Sequence, residues 1–502
     1  MSERVLQNAA QLAQGPKPEL ARPLITNLLA TAPDDADALT LLGIIEQRAG
    51  NIPAALAALG RARECDPANP ARLGNHALAL KRAGHFNEAI TALQEALALR
   101  PRAPVTLANL GACLIETGRP GEAVPHLERA LEIDDRHFDS LNNLAIALTR
   151  IGKAAEALRI YDRALMLRAD HLETRLNRID ALAVLDSHAA VNEVKAMLAR
   201  YPEHPRASNQ LGMLLEAQGE RDDAIEIYRS SIDKAGLFHP IGVNLTRVLV
   251  QTGRYREAIT LADQLISDLP SVTTPMALKC AALARAGLHT DLEAMLDLDR
   301  FVKIIDFEEI DGFASRKTFD AELARELSGH TSLTFDPKGL VTRQGWQSDD
   351  LADATTPALS ALINLAKNAI STYLTNLPEG DHPFQMARPD KWSLTMWGTI
   401  LNPGGEVGAH IHAPNWLSGV YYPDLPNVVS ASEEGWLVMG ALPNELGGGG
   451  IQRRYEPAAG RMILFPSYIW HGTLPFSGDQ PRLSIAFDCV PMGVGRPHRL
   501  ER

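Results

Sequence analysis

Over the first three hundred residues the polar and apolar positions follow one another as in amphipathic helices, and small residues recur on a longer cycle. Ala21, Ala55, Ala89, Ala123 and Ala157 stand 34 residues apart. Ala62, Ala96, Ala130 and Ala164 keep the same step seven residues further on, and Pro33, Pro67 and Pro101 follow it as well. After a one-residue deletion near 180–190 the phase resumes at Ala224 and Ala258, and Pro270 closes a unit. Gly43, Gly111 and Gly212 fall twelve residues before their alanines. Such a cycle predicts paired helices, with small residues where the helices of a pair cross closely and proline where the next connection begins. From about residue 299 the pattern changes. LSALINLAKNAISTYL (359–374) still reads as a helix, but KWSLTMWGTIL, WLSGVYY, GWLVMGAL, RMILFPSYIWH and RLSIAFDCV are aromatic and β-branched segments separated by Gly and Pro. They predict the short strands of a sandwich or barrel, in a region long enough to bury its own core. The run Gly447–Gly450 lacks the Lys-Ser/Thr of a phosphate loop and reads as a flexible connection.

The 34-residue unit resembles the tetratricopeptide repeat over residues 2 to about 298, in eight or nine units, with that near 172–204 degenerate and the last, near 273–298, a cap. The resemblance implies a right-handed superhelix whose concave face holds a peptide or partner protein; a dimerisation scaffold, giving a homodimer, is the plainer alternative. On the first helix of successive units stand Asn75, Asn109, Asn143 and Asn177, again 34 apart, with Gln210 and Asn244 in the same phase further on. In the repeat consensus this position lines the concave face. Each carboxamide can offer one donor and one acceptor to the backbone of an extended chain, without reading its sequence. The row resembles the asparagine ladder in the repeat domain of O-GlcNAc transferase. The plainer reading is that these amides only cap or solvate a groove.

Composition narrows the class. With 502 residues, 45% hydrophobic and 22% charged, the chain is neither largely disordered nor fibrous. Cys65, Cys113, Cys280 and Cys489 lie far apart without a CxxC, so neither a disulfide framework nor a zinc ribbon is encoded. There is no run of 18 apolar residues, and the first residues lack a signal-peptide pattern. A cytoplasmic protein without membrane partners is expected. The net charge of −12 argues against nucleic acid as the partner.

The candidate chemistry lies in the histidines. His410 and His412 in GAHIHAPNWLSGVYY would share one face of a strand by alternation, and His471 in FPSYIWHGTLPF follows about sixty residues later. Three such imidazoles can close one face of a metal ion. Eleven residues beyond His471 come Arg482 and Ser484, a guanidinium and a hydroxyl suited to gripping a carboxylate. Trp397, Trp416 and Trp470 are candidates for a pocket lining, with core packing expected for at least two of them. His126, His137 and His382 have no partner at metal spacing and read as surface residues.

With GWQSDDL, HIHAPNWLSGVYY, GRMILFPSYIWH and PRLSIAFD, the region 300–495 resembles the bacterial Fe(II)- and 2-oxoglutarate-dependent oxygenases related to prolyl hydroxylases. The resemblance implies a double-stranded β-helix (jelly-roll) domain over 299–502 behind a repeat superhelix over 1–298, an α+β multidomain chain. It also implies Fe(II), 2-oxoglutarate and O2 as cofactor and co-substrates. By position, His410 and His471 would bind the metal and Arg482 the far carboxylate of 2-oxoglutarate, helped by Ser484 and Tyr422. His412 departs from the pattern, since most of the superfamily carries Asp or Glu there. Three arrangements fit: a metal on three neutral histidines; a metal on His410 and His471 with water in the third place, as in the aspartyl/asparaginyl β-hydroxylases; or a dead or zinc-binding site. The expected function is hydroxylation of a protein or peptide held by the repeats. Its rivals are a small-molecule oxygenase with dimerising repeats, a three-histidine dioxygenase that does not use 2-oxoglutarate, and a non-catalytic adaptor.

Overall fold

Alanine stands where helices press together: Ala55, Ala89, Ala123 and Ala157 are fully buried, each in the first turn of the second helix of its pair. The structure is a computed structural model that describes residues 2–15, 17–495, 497, 498 and 500, with side chains at all of these except 2, 3 and 430. The chain divides into two compact units, Met1–Ala196 and Met197–Arg502.

In the first unit, helices pair as Ala36–Arg48 with Ile52–Cys65, Pro70–Arg82 with Phe86–Leu99, Pro104–Glu116 with Pro120–Ile133, and Phe138–Arg150 with Ala154–Leu167. Glycine permits the close crossing within a pair. A Cβ on Gly111 would lie 2.6 Å from the Leu127 side chain, and one on Gly43 would strike Leu59. A second 34-residue rhythm, not recognised in the sequence, ties one pair to the next. Arg48 donates to the Ala13 carbonyl, Arg82 to that of Gln47 at 3.2 Å, and Arg150 to that of Ile115 at 2.7 Å. The acceptors lie near the C-terminal ends of the preceding first helices, where carbonyls lack intrahelical partners.

The second unit opens with the pairs Pro205–Ala217 with Arg221–Ala235, His239–Gln251 with Tyr255–Asp268, and Thr274–Ala286 with His289–Leu296. Among the described residues ten strands follow: β1 (Lys303–Asp306), β2 (Thr334–Phe335), β3 (Thr342–Gln347), β4 (Trp392–Val407), β5 (Leu417–Tyr422), β6 (Leu437–Met439), β7 (Arg453–Tyr455), β8 (Arg461–Pro466), β9 (His471–Thr473) and β10 (Arg482–Pro491). They make a seven-stranded sheet, β1-β8-β5-β10-β4-β3-β2, and a three-stranded sheet, β7-β6-β9, with every pairing antiparallel. The helix expected at 359–374 runs Pro357–Asn376 and buries Leu362, Ala366 and Ile370. Helical repeats thus precede an antiparallel, strand-rich region.

The last helix pair is not a solvent-facing cap. Met276, Cys280, Leu283 and Leu292 belong to the same core as Trp416, Met462 and Phe487. Polar contacts reinforce it: Tyr468 donates to the Met295 carbonyl at 2.6 Å and the Trp470 indole to that of Ala277 at 3.0 Å. The outward face of this pair is apolar, so it is buried against the strands. His382 likewise is no surface residue. Its Nδ1 accepts from the Phe384 amide at 3.1 Å, and its ring packs 4.7 Å from Phe301.

Two substitutions in the first unit test the role of glycine at the helix crossings. Gly111→Val should lower stability by about 1–3 kcal/mol through overpacking against Leu127. Gly74→Ala, on a helix position with open space, should be neutral or raise stability by up to about 1 kcal/mol. Thermal melts should therefore show Gly111→Val below the wild type and Gly74→Ala at or above it; a common downward shift would remove the close-crossing explanation.

Candidate functional site

Strand β10 is hydrogen-bonded on both sides, to β4 and β5, and buried on both faces. Alternation sends Leu483, Ile485 and Phe487 into the core, while Arg482, Ser484, Ala486 and Asp488 line a cavity of about 250 Å³. His410, His412, His471 and Tyr422 line the same cavity.

His410 and His412 do not sit on a regular strand. The chain leaves β4 at Val407 and passes through an irregular segment, with a turn at 413–414, before β5. Its backbone is fastened to other partners: His410 exchanges both amide bonds with His471 at 2.9 Å, and the His412 amide donates to the Ser467 carbonyl at 3.0 Å. The expected convergence holds nonetheless. One ligand atom from each of the three histidines lies within 4.8 Å of the others, and the Nε2 atoms of His410 and His412 are 2.9 Å apart.

The ring tautomers follow from the partners. Nδ1 of His410 faces the Gly408 carbonyl at 2.9 Å, Nδ1 of His471 the Ile469 carbonyl at 2.9 Å, and Nδ1 of His412 the Asp488 carboxylate at 2.8 Å. Carbonyls and carboxylates only accept, so each Nδ1 carries a proton, and a neutral ring then offers the lone pair of its Nε2. Burial, and secondarily the neighbouring His412, pushes the His410 pKa down to about 3. Burial followed by the other two imidazoles holds His471 well below its usual value. Three lone pairs facing one another repel unless a cation lies between them. Two imidazole nitrogens about 2.1 Å from one metal and at right angles would stand roughly 3 Å apart, close to the observed separation. The donor set therefore fits a metal ion. Phe465, with its ring 4.6 Å from that of His471, and Trp397, 5.1 Å from that of His412, wall the rings in.

At the other end of the strand face lies Arg482, 1% exposed. Its Nη1 reaches Ser484 Oγ at 3.4 Å, and its guanidinium carbon lies 5.2 Å from the Tyr422 ring centre. Among the described residues, its Nε and Nη2 and the Tyr422 hydroxyl have no hydrogen-bond partner. Burial pulls the Arg482 pKa down and pushes that of Tyr422 up. A buried cation with unpaired donors costs several kcal/mol, on the order of what an anionic ligand would offset. The set fits a carboxylate.

Trp397 lines the cavity, whereas Trp416 stacks on Phe384 in the core and Trp470 bonds to a repeat helix. The carboxamides all lie half-buried on first helices, Asn75, Asn109, Asn143 and Asn177 in the first unit and Gln210 and Asn244 in the second. Several already have polar neighbours: Asn109 accepts from Lys81 at 3.4 Å, Asn143 donates to the Ala108 carbonyl at 3.4 Å, and Asn244 donates to Asn209 at 2.9 Å. Two cavity residues escaped the sequence reading. Asp488 continues the alternation of Arg482 and Ser484 and could have been found by it. His498 stacks 4.3 Å from Trp397, and burial lowers its pKa to about 4; it lies in no motif.

Comparison with known families agrees with this architecture. Residues 395–488 match the family described as "Putative 2OG-Fe(II) oxygenase". Tetratricopeptide-repeat families match residues 10–70, 71–136, 101–170 and 179–236. The chain thus carries tetratricopeptide repeats and, C-terminal to them, a 2OG-Fe(II) oxygenase domain. A comparison with curated proteins gives no match. Among solved structures, a tetratricopeptide repeat protein from Parabacteroides merdae is 16% identical, with 46% of this chain and 92% of that one covered and a TM-score of 0.42. Pseudomonas aeruginosa pilF is 21% identical, covering 44% and 97%, with a TM-score of 0.38. YrrB, a TPR protein with an unusual peptide-binding site, is 18% identical, covering 43% and 95%, with a TM-score of 0.27. Among the described residues, no helix is long and apolar enough to cross a membrane.

Metal binding can be read from stability. A divalent cation at a hundred times its Kd should stabilise the wild type by about 2.7 kcal/mol. His410→Ala and His471→Ala should each abolish that stabilisation, and calorimetric titration should show affinity reduced by more than about a hundredfold. An undiminished thermal shift in either variant would place the metal elsewhere.

Proposed function

We propose that the protein is an Fe(II)- and 2-oxoglutarate-dependent dioxygenase that hydroxylates a polypeptide held by its repeats. The observation that carries the reading is the buried Arg482 guanidinium, with two donors unpartnered among the described residues, lining the same cavity as three convergent imidazoles. A metal site alone has no use for such a cation, whereas a metal-chelating dicarboxylate needs both. In this reading the domain over 299–502 is a double-stranded β-helix in the cytoplasm, and the repeats over 1–298 bind the substrate.

The roles follow from the side chains. His410, His471 and His412 would hold Fe(II) through Nε2, each ring fixed by its Nδ1 partner. Arg482 would bind the far carboxylate of 2-oxoglutarate, with Ser484 and the Tyr422 hydroxyl supplying further hydrogen bonds. When bound, the metal and co-substrate supply oxidative decarboxylation of 2-oxoglutarate by O2 to succinate and CO2, coupled to insertion of one oxygen atom into a substrate C–H bond. The apolar side chains of Phe465, Leu437 and Val420 line the cavity and lower the local dielectric around the charged groups. The chain's remaining task is to position one C–H bond at the site.

The direct test is 2-oxoglutarate-dependent oxygen uptake by the Fe(II)-loaded protein, followed by mass spectrometry of lysate proteins for a gain of one oxygen. Arg482→Ala removes charge-assisted bonds worth about 1.5–3 kcal/mol, so the apparent affinity for 2-oxoglutarate should fall roughly ten- to a hundredfold. Oxygen uptake that ignores 2-oxoglutarate would instead indicate the three-histidine dioxygenase, and none at all the adaptor.

The repeats are tested separately. Replacing Asn109, Asn143 and Asn177 together by Ala removes contacts worth about 0.5–1.5 kcal/mol each, so KM for a polypeptide substrate should rise by roughly one to three powers of ten. Succinate formed without substrate should stay near the wild-type level. Equal polypeptide kinetics in the two proteins would favour the small-molecule oxygenase.

A further inference from the structure

Asp488 is 2% exposed and saturated with donors. Its Oδ1 accepts from His412 Nδ1 at 2.8 Å and from Ser418 Oγ at 2.7 Å, and its Oδ2 accepts from Asn415 Nδ2 at 2.9 Å. Ser418 is itself met by Ser467 Oγ at 2.9 Å. No Lys or Arg forms an ion pair with Asp488 among the described residues; the ring it meets is that of His412. A carboxylate buried this deeply needs a positive charge within reach. The route to one runs through the His412 ring, whose Nε2 faces the other two histidines.

We propose that Asp488 is a positioning residue that supplies, through His412, the negative charge missing from the three-histidine set. The inference rests on the function proposed above. His412 stands where the resemblance leads one to expect Asp or Glu, and Asp488 lies directly behind it. The carboxylate fixes the proton on Nδ1, aims Nε2 into the cluster and makes the ring a stronger donor to a cation. Ser418, Ser467 and Asn415 in turn hold the carboxylate in one orientation. The negative charge is thereby moved one ring further from the metal rather than lost.

This arrangement makes a prediction that a merely structural carboxylate does not. An Asp at position 412 would place a carboxylate oxygen close to where His412 Nδ1 now lies, 2.8 Å from Asp488. The two carboxylates would repel, so the charge of Asp488, helpful behind His412, becomes harmful behind Asp. The probe is Co(II), titrated by its visible absorption in the full chain, with thermal melts to confirm folding. Asp488→Asn alone should weaken Co(II) binding about ten- to a hundredfold. The same substitution added to His412→Asp should strengthen binding relative to His412→Asp alone. Added to His412→Ala, which removes the connecting ring, it should change affinity by less than about twofold.

A loss of the same size in all three backgrounds would make Asp488 a structural residue and overturn the inference, as would unchanged binding in the single variant. Should the His412→Asp proteins not fold, the His412→Ala pair decides alone. A wild-type chain that binds Co(II) and turns over 2-oxoglutarate while Asp488→Asn binds as tightly leaves the function standing and removes only the role of Asp488. A wild type that does neither removes both.

Discussion

β10 lies between β4 and β5, and its two faces serve opposite ends: one is packed into the core, the other furnishes the cavity with Arg482, Ser484 and Asp488. Pairing on both sides holds this alternation. A slip of one residue would carry a guanidinium and a carboxylate into the core and turn Leu483 and Phe487 into the cavity. The six steps from Arg482 to Asp488 span about 20 Å of strand, which sets how far apart the carboxylate grip and the histidine cluster can stand. The histidines, by contrast, come from irregular chain and from the short strand β9. They are brought to the central strand by the reciprocal backbone bonds of His410 and His471 and by the bond of His412 to Asp488.

Much of this was legible before any coordinates. The 34-residue cycle of alanine and glycine encodes helix crossings because a Cβ at Gly111 or Gly43 has no room, and a crossing repeated in space must be repeated in sequence. The strand segments were legible because β-branched and aromatic residues were cut by Gly and Pro. Less could be read where the partner is distant. His382, apart from any metal spacing, gave no sign that Phe301 and Phe384 would enclose it. The arginines that join successive pairs share the cycle, but Glu116 breaks their row and hides it. Asp488 was within reach of the same alternation that identified Arg482 and Ser484; its bond to a residue 76 positions away was not.

The repeats within the second unit do more than extend the array. Met276, Cys280 and Leu283 share a core with strand residues, so that core is continuous across the change from helices to strands near residue 299. The polar contacts there are specific as well as apolar: Thr273 donates to the Asn415 carbonyl at 2.9 Å, and the Asn415 side chain donates to Asp488. A hydroxyl in the loop before the last helix pair is therefore two hydrogen-bonded steps from the carboxylate behind His412. Packing of the final repeat and the orientation of the candidate metal ligands are linked through one asparagine.

Charge balance gives a reason for a histidine at position 412. The cavity is buried, and a net charge left in such a place is costly. In the proposed complex, the divalent metal faces one carboxylate of 2-oxoglutarate and, through His412, Asp488, while Arg482 meets the other carboxylate, so the charges sum to zero. A carboxylate ligand at 412 would add an uncompensated negative charge and set it against Asp488 at hydrogen-bond distance. With Asp488 in place, the neutral imidazole is the side chain that keeps the loaded site neutral while still presenting a lone pair to the metal. The departure from an acidic ligand and the buried carboxylate behind it are then two halves of one electrostatic arrangement.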